Sequence, residues 1–244
     1  MVVHFGRVPV QVLLLVVALL LCGLTNWTAE GQSWHCHGSP SEPMKDGDVR
    51  RALHSKVLAE HRDDPSTLVL DELGLWYGHA RVDVAVVNGN IHGFEIKSER
   101  DTLERLPEQE RIYSMVLDRV TLVVGTSHVS KAIPMVPEWW GVKVATTGPR
   151  GAVYFREERA PRGNPQQDPV ALAMLLWCEE LEAALIRAGM GRGFIGKKRR
   201  VQAARLASAL SLEALRKVVC DALKARSEWT RAGVYAPAVA CLAS

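Results

Sequence analysis

The stretch from Arg81 to Ser98 constrains the fold more tightly than any other part of the 244-residue chain. Two short apolar runs, Arg81–Val87 and Ile91–Ser98, flank Asn88-Gly89-Asn90 and read as the strands of a hairpin. Side chains alternate along a strand, so Glu95 and Lys97 share one face while Phe94 and Ile96 take the other. On the preceding strand Asp83, Ala85 and Val87 share a face. A two-residue turn would put Asp83 and Glu95 on opposite faces. A three-residue Asn88-Gly89-Asn90 loop pairs Val87 with Ile91, Ala85 with Gly93, and Asp83 with Glu95. Gly or Asn supplies the left-handed residue that such loops need, so this register is expected. A slip of one residue would separate the two acids.

Two carboxylates side by side repel unless a cation sits between them. Oxygen ligands with open water positions suit Mg²⁺ or Mn²⁺. Lys97 points the same way as Glu95 and could orient or activate a water, or stabilise charge on a phosphate. The Ile96 backbone carbonyl is a further potential ligand.

Around the hairpin, an amphipathic helix is expected from Asp48 to His61, with Asp46 or Asp48 as its N-cap, and a strand from Thr67 to Leu73. Then follow a helix over Leu103–Asp118, a buried strand Val120–Gly125, a short helix Val129–Val136 and a strand Trp140–Thr146. The fold class is α/β, in the order α-β-β-β-α-β-α-β, followed by an α-helical C-terminal segment. Residues 148–168, rich in Arg, Gly, Pro and Gln, read as a linker or exposed loop. A single apolar helix is expected over Pro169–Ala188. Helices Val201–Leu210 and Leu212–Arg226 follow, with Ser211 as an N-cap between them.

Asp83 followed by Glu95-Ile96-Lys97 on the next strand resembles the D…(D/E)xK core of the PD-(D/E)XK, or restriction-endonuclease-like, nuclease superfamily. Gln109-Glu110-Arg111-Ile112-Tyr113 on the following helix resembles the Q-x-x-x-Y element of its RecB-like branch, in which Gln and Tyr support the lysine and the bound strand. Positions i and i+4 lie on one helix face, so Gln109 and Tyr113 can both point at the hairpin. The likeness covers about Asp48 to Thr146 and includes the element order. Val82 stands where the motif's proline would be.

The resemblance implies a restriction-endonuclease-like mixed sheet core and a nuclease that holds Mg²⁺ or Mn²⁺ on Asp83 and Glu95, with Lys97 catalytic. A further acidic ligand is expected at Glu72, with Glu60, His54 or His61 as the alternatives. Arg100 and Arg105 could touch phosphates at the site mouth, whereas Arg111 reads as a solvated ion pair and Asp118 as structural. Trp139-Trp140 could stack bases or pack in the core.

Charge is unevenly distributed. From Leu185 to Arg231 there are twelve Lys/Arg against three Asp/Glu, a local excess of nine on a chain of net +3. Arg192, Lys197, Lys198, Arg199, Arg200 and Arg205 concentrate this charge and suit salt-dependent contact with a nucleic-acid backbone. DNA is the expected partner, with RNA the alternative.

Residues 1–43 carry only three charges, and Val8 to Leu24 is an uncharged apolar run. That run suits a signal h-region or a short membrane anchor, which would export or tether the protein. Met44 opens a sequence typical of a soluble protein, and a start there implies a cytoplasmic one. The expected organisation is therefore a 1–43 leader, a 44–147 nuclease-like domain, a 148–168 linker and a 169–244 basic helical region. Five cysteines with no CxxC pair indicate neither a disulfide framework nor a zinc site, and adjacent side chains in His35-Cys36-His37 diverge. A non-catalytic nucleic-acid-binding protein on the same fold is the second functional expectation.

Overall fold

A computed structural model describes residues 43–230. The apolar run 8–24, the His35-Cys36-His37 tract and the question of the leader lie outside those residues. Among the described residues no helix is long and apolar enough to cross a membrane.

The protein is mixed α/β, built on one six-stranded sheet in the order β1-β2-β3-β4-β5-β6. The strands are β1 (Leu68–Leu75), β2 (Ala80–Val87), β3 (Ile91–Lys97), β4 (Arg119–Gly125), β5 (Gly141–Thr147) and β6 (Val153–Arg159). The first three are antiparallel neighbours, β3-β4-β5 run parallel, and β6 returns antiparallel to β5. The parallel steps need crossover connections, and helices supply them: α3 (Leu106–Val116) between β3 and β4, and α4 (Val129–Ala132) between β4 and β5.

Helix α1 (Asp46–Ala52) opens the described fold. It runs into a wide turn over Leu53–Val57 and a short α2 (Ala59–Asp63), so the single helix expected there is interrupted. Lys45, with no side-chain cap bond, precedes α1 in place of the expected Asp cap. Met44, Val49, Leu53 and Leu58 cover Val84, Val86, Phe94, Ile96 and Val123 on one face of the sheet. The other face is larger. There α3 and the C-terminal helices α5 (Pro169–Ala173), α6 (Cys178–Arg187), α7 (Arg199–Ala209) and α8 (Leu212–Thr230) share one core with Ala85, Ile91, Leu122 and Val124. Each fully buried Val or Leu in such a core contributes about 1.5–3 kcal/mol.

Two expected boundaries are corrected. The described residues pack as one compact unit in which the C-terminal helices share the sheet's core, so the helical end is not set apart from it. The 148–168 linker holds β6, whose Val153 and Phe155 pack into the α1-side core while charged neighbours face out, a pattern typical of an edge strand. Its second half is an ordered strap across the end of α3. Asn164 Nδ2 donates to the Ser114 and Leu117 carbonyls, Gln167 Nε2 to Val116, and the Asp168 amide to Met115. These carbonyls have no partner within the helix, and the strap satisfies them. Asp168 then caps α5 through the amides of Val170 and Ala171.

The long helix expected over 169–188 breaks between α5 and α6. The Trp177 amide donates to Glu180 there, starting a second helix, and Arg226 pairs with Glu180 across the break. Ser211 caps α8 as expected, its Oγ accepting from the Ala214 amide at 3.2 Å. Cys220 is a buried free thiol.

The hairpin register is the expected one: Val87 faces Ile91, Ala85 faces Gly93 and Val84 faces Phe94. Gly89 takes the left-handed conformation at φ +69°, and the Asn88 amide closes the loop on the Asn90 carbonyl at 3.0 Å. Gly93 is needed for close approach. A Cβ there would lie 2.6 Å from Leu117 Cδ1 and 3.0 Å from Val82 Cγ2. Gly93→Ala should therefore destabilise the protein by about 1–3 kcal/mol through overpacking. In urea unfolding this appears as a lower midpoint with an unchanged m-value.

Candidate active site

The acids gather where β2 and β3 part. Hydrogen-bonded pairs in an antiparallel ladder recur every second residue. Counting from Asn88/Asn90, they fall at 86/92 and 84/94, and 82/96 would be next. The Ile96 amide instead donates to Asp83 Oδ2 at 2.6 Å, so a carboxylate takes the place of a ladder carbonyl.

The β1–β2 pair also changes sides at this point. Leu68 and Leu70 face the α3-side core, and so do Leu73 and Leu75, although strict alternation would turn the second pair away. On β2, Ala85 and Val87 share that core with Val82, while Val84 and Val86 face the other. Both switches fall at the register pair Glu72/Asp83, the one step missing between Asp71↔Val84 and Leu73↔Val82. Glu72 holds φ +60°, a left-handed conformation that a non-glycine residue adopts at a cost of about 1–3 kcal/mol. Asp83 thus leaves the face of Ala85 and Val87 to which alternation assigned it. It sits at the break, with Glu72 opposite on β1 and Glu95 two strands from Glu72 on β3.

Glu95 and Lys97 occupy the α3 side, as alternation requires. Glu95 is buried and engaged through both oxygens. Lys97 Nζ and Gln109 Nε2 donate to its Oε1, the latter at 2.6 Å, and the Tyr113 hydroxyl lies 2.6 Å from Oε2 and 2.7 Å from the Arg81 carbonyl. Burial and the neighbouring Glu95 carboxylate hold the Tyr113 phenol well above its ordinary pKa, so it stays a neutral donor. Tyr113 also stacks on the buried Trp140 at 5.9 Å, and Trp139 and Trp140 belong to the core, which excludes them from base stacking. Lys97 is buried, and its one hydrogen bond to the described residues leaves two N–H groups for water or substrate. At the end of β3 the Ser98 amide and hydroxyl both donate to Asp101 Oδ2 at 2.7 Å, turning the chain toward α3.

Arg50 on α1 is the residue that sequence reasoning missed. Its guanidinium donates to Asp83 Oδ1 at 2.9 Å and to the Asp83 carbonyl at 2.7 Å, and pairs with Glu72 Oε1 at 3.0 Å. Burial opposes its charge, but Asp83, Asp46 and Glu72 outweigh that and raise its pKa. The sequence signal was only an i,i+4 spacing from Asp46, which reads as a solvated helix pair.

A cavity of about 580 Å³ opens onto these groups. Glu72, Asp83, Glu95, Ile96, Lys97, Gln109 and Arg105 all line it, and so do Arg50 and Arg81. Arg100 is exposed outside the lining, and so is Glu60; His54 is bonded to Asp71 Oδ1 at 2.8 Å. Arg111 pairs with Glu108, and Asp118 accepts from the Ile91 amide and Arg216, both structural roles. In the basic stretch, Arg192, Lys197, Lys198 and Arg200 are exposed. Arg199 instead donates to the Met174 and Leu176 carbonyls, and Arg205 lies against Met190 and Phe194, so both are drawn into the helical packing.

The carboxylate and carbonyl oxygens of the lining are of the donor type that hard divalent cations take. The lining holds six Asp or Glu side chains against four Arg or Lys, an excess of acid over base. Gln109 Oε1 is buried there without a hydrogen-bond partner. Among the described residues, no group of three or more His, Cys, Asp or Glu side chains is arranged to hold a metal ion. Arg50 and Lys97 stand between the carboxylates instead.

The sequence profile of the family described as Bacteriophage P4 protein cII matches residues 45–233. The chain belongs to this family. Protein cII of Enterobacteria phage P4 is 27% identical over 186 residues, covering 76% of this chain and 69% of the phage protein. No solved structure matches the chain. The matched span takes in the hairpin, α3 and all of the described C-terminal helices.

Burial first, and then the Glu95 charge, push the Asp83 carboxyl up to about 7 from 3.8, against the opposing effects of the Ile96 amide, Arg50 and Lys97. The native state therefore binds a proton that the unfolded chain releases between pH 3.8 and about 7. Stability from this group is complete below the lower value and is lost as pH rises through the upper one. Asp83→Asn mimics the protonated acid. In metal-free buffer, thermal unfolding should show wild type losing stability relative to Asp83→Asn as pH rises from 5 to 8. A constant difference between them would contradict this.

Proposed function

We propose that this chain is a metal-dependent nuclease that hydrolyses phosphodiester bonds in DNA, on a core of restriction-endonuclease-like, PD-(D/E)XK topology. The observation that carries the reading is the meeting of Asp83, Glu95 and Lys97 at one parted strand pair, with Gln109 and Tyr113 closing on Glu95. Asp83 and Glu95 would hold Mg²⁺ or Mn²⁺, with Glu72 and the Ile96 carbonyl as neighbouring oxygens on the cavity wall. Held there, such an ion would supply Lewis-acid stabilisation of the phosphate and a lower pKa for a bound water.

The protein's own groups do the rest. Lys97, buried against Glu95, uses its two remaining N–H groups to orient the attacking water or to stabilise charge on the phosphate. Gln109 and Tyr113 fix the Glu95 carboxylate in one orientation. Arg81 and Arg105 at the cavity wall meet the flanking phosphates. The exposed Arg192, Lys197, Lys198 and Arg200 add sequence-independent attraction for the nucleic-acid backbone. The net negative charge of the cleft supports metal dependence, because a polyanion would be repelled from it without a bound cation.

One observation favours a non-catalytic DNA-binding protein on the same fold: Lys97 and Arg50 already neutralise Glu95 and Asp83. Cleavage assays decide between the two. Purified protein with single- and double-stranded DNA, and RNA in parallel, should cut in Mg²⁺ or Mn²⁺ and not in EDTA. Lys97→Ala and Asp83→Ala should each lower the cleavage rate by at least about 10²-fold while still binding DNA. Binding of DNA by all three proteins with cleavage by none would move the binding-protein reading ahead.

A further inference from the structure

The three acids of the parted strands are not left to repel one another in the absence of a metal ion. One side chain holds two of them, Asp83 and Glu72. Arg50 reaches from α1 across the end of the sheet and engages Asp83 twice, through Oδ1 and the main-chain carbonyl, and Glu72 once, at 2.7–3.0 Å. Asp46 lies 3.5 Å from its Nε and Asp71 3.9 Å from its Nη1. Four carboxylates thus share one guanidinium. The half-buried Arg50 bridges Asp83 and Glu72, the two acids whose strands switch faces together.

We propose that Arg50 is a resident counter-cation that competes with the divalent ion for Asp83, and that binding of the ion requires Arg50 to give up Asp83 Oδ1. The inference rests on the reading of the cleft as a divalent-cation site. The physical argument is one of charge and of lone pairs. Each Asp83 oxygen already accepts one bond, Oδ2 from the Ile96 amide and Oδ1 from Arg50, and of the two donors only Arg50 carries a charge that opposes a cation. A guanidinium and a divalent cation on the same carboxylate oxygen repel, so occupancy by one opposes the other. Release from Oδ1 need not detach Arg50, because the Asp83 carbonyl and Glu72 still anchor it. Competition of this kind sets a threshold on the ion concentration at which the cleft loads.

Arg50 is therefore a positioning residue with a sign opposite to that of a scaffold. If it only braced the acids, its loss would weaken metal binding. As a competitor, its loss strengthens it. The test is calorimetric titration of MnCl₂ into the metal-free full chain without nucleic acid, for wild type, Arg50→Met, Arg50→Lys and Asp83→Asn, with thermal unfolding as a check on folding. Arg50→Met should bind Mn²⁺ roughly fivefold or more tighter than wild type, as expected from removing one unit charge within a few ångströms. Arg50→Lys keeps the charge but lacks the fork that bridges Asp83 and Glu72, so its affinity should fall between those two. Asp83→Asn should lose the binding.

Equal or weaker binding by a folded Arg50→Met overturns the proposal and leaves the metal-dependent reading standing. Should Arg50→Met fail to fold, Arg50→Lys decides: tighter than wild type supports competition, and equal or weaker overturns it. Mn²⁺ binding that survives Asp83→Asn places the ion elsewhere and overturns it too. Failure of wild type and every variant to bind Mn²⁺ overturns both this inference and the reading of the cleft on which it rests.

Discussion

The hydrogen bond from the Ile96 amide to the Asp83 carboxylate is the constraint around which the rest is arranged. Had the ladder run on, that amide would have met the Val82 carbonyl, and β2 and β3 would have stayed zipped to their ends. A side chain satisfies it instead, which matters because an unpaired buried amide costs about 1–3 kcal/mol. The strands can then part without leaving a broken bond, and the group that makes good the loss is the carboxylate at the centre of the cleft. Glu72 on β1, in its left-handed conformation, completes the same break from the other side.

The opposite wall is fixed from a distance. Gln109 and Tyr113 reach Glu95 only because α3 is held at a set height and rotation. Leu106, Ile112 and Val116 bury its apolar stripe, and the strap of Asn164, Gln167 and Asp168 takes up the carbonyls at its end. Arg216 of α8 pairs with Asp118 and bonds Gln167, tying the C-terminal helices to the same corner. The helical end thus supports the cleft as well as carrying basic charge. Arg199 and Arg205 divide from Arg192, Lys197, Lys198 and Arg200 for that reason: the first two are used inside the packing and the others face water.

Much of this was legible from local rules. Period-two alternation placed Glu95 and Lys97 together, and a three-residue turn with a left-handed Gly or Asn gave the register. Helical spacing put Gln109 and Tyr113 on one face. Where reading failed, long-range contacts had overruled local composition. Residues 153–159 are mostly charged and look like a loop, yet an edge strand needs only one apolar face. Asn164 and Gln167 look like loop polarity, yet they cap a helix about fifty residues earlier in the chain. Asp83 was assigned to the wrong setting because alternation assumes a strand that does not switch faces.

By itself the sequence determined the residue types of the cleft, their order along the chain and the pairing of the hairpin that carries them. Those follow from backbone geometry within a few residues. Only the tertiary structure decided which charges neutralise which. Arg50 is thirty-three residues from Asp83, and nothing local directs it there. Its partners follow from the packing of α1 on the sheet, which brings one guanidinium to the point where two strands change sides.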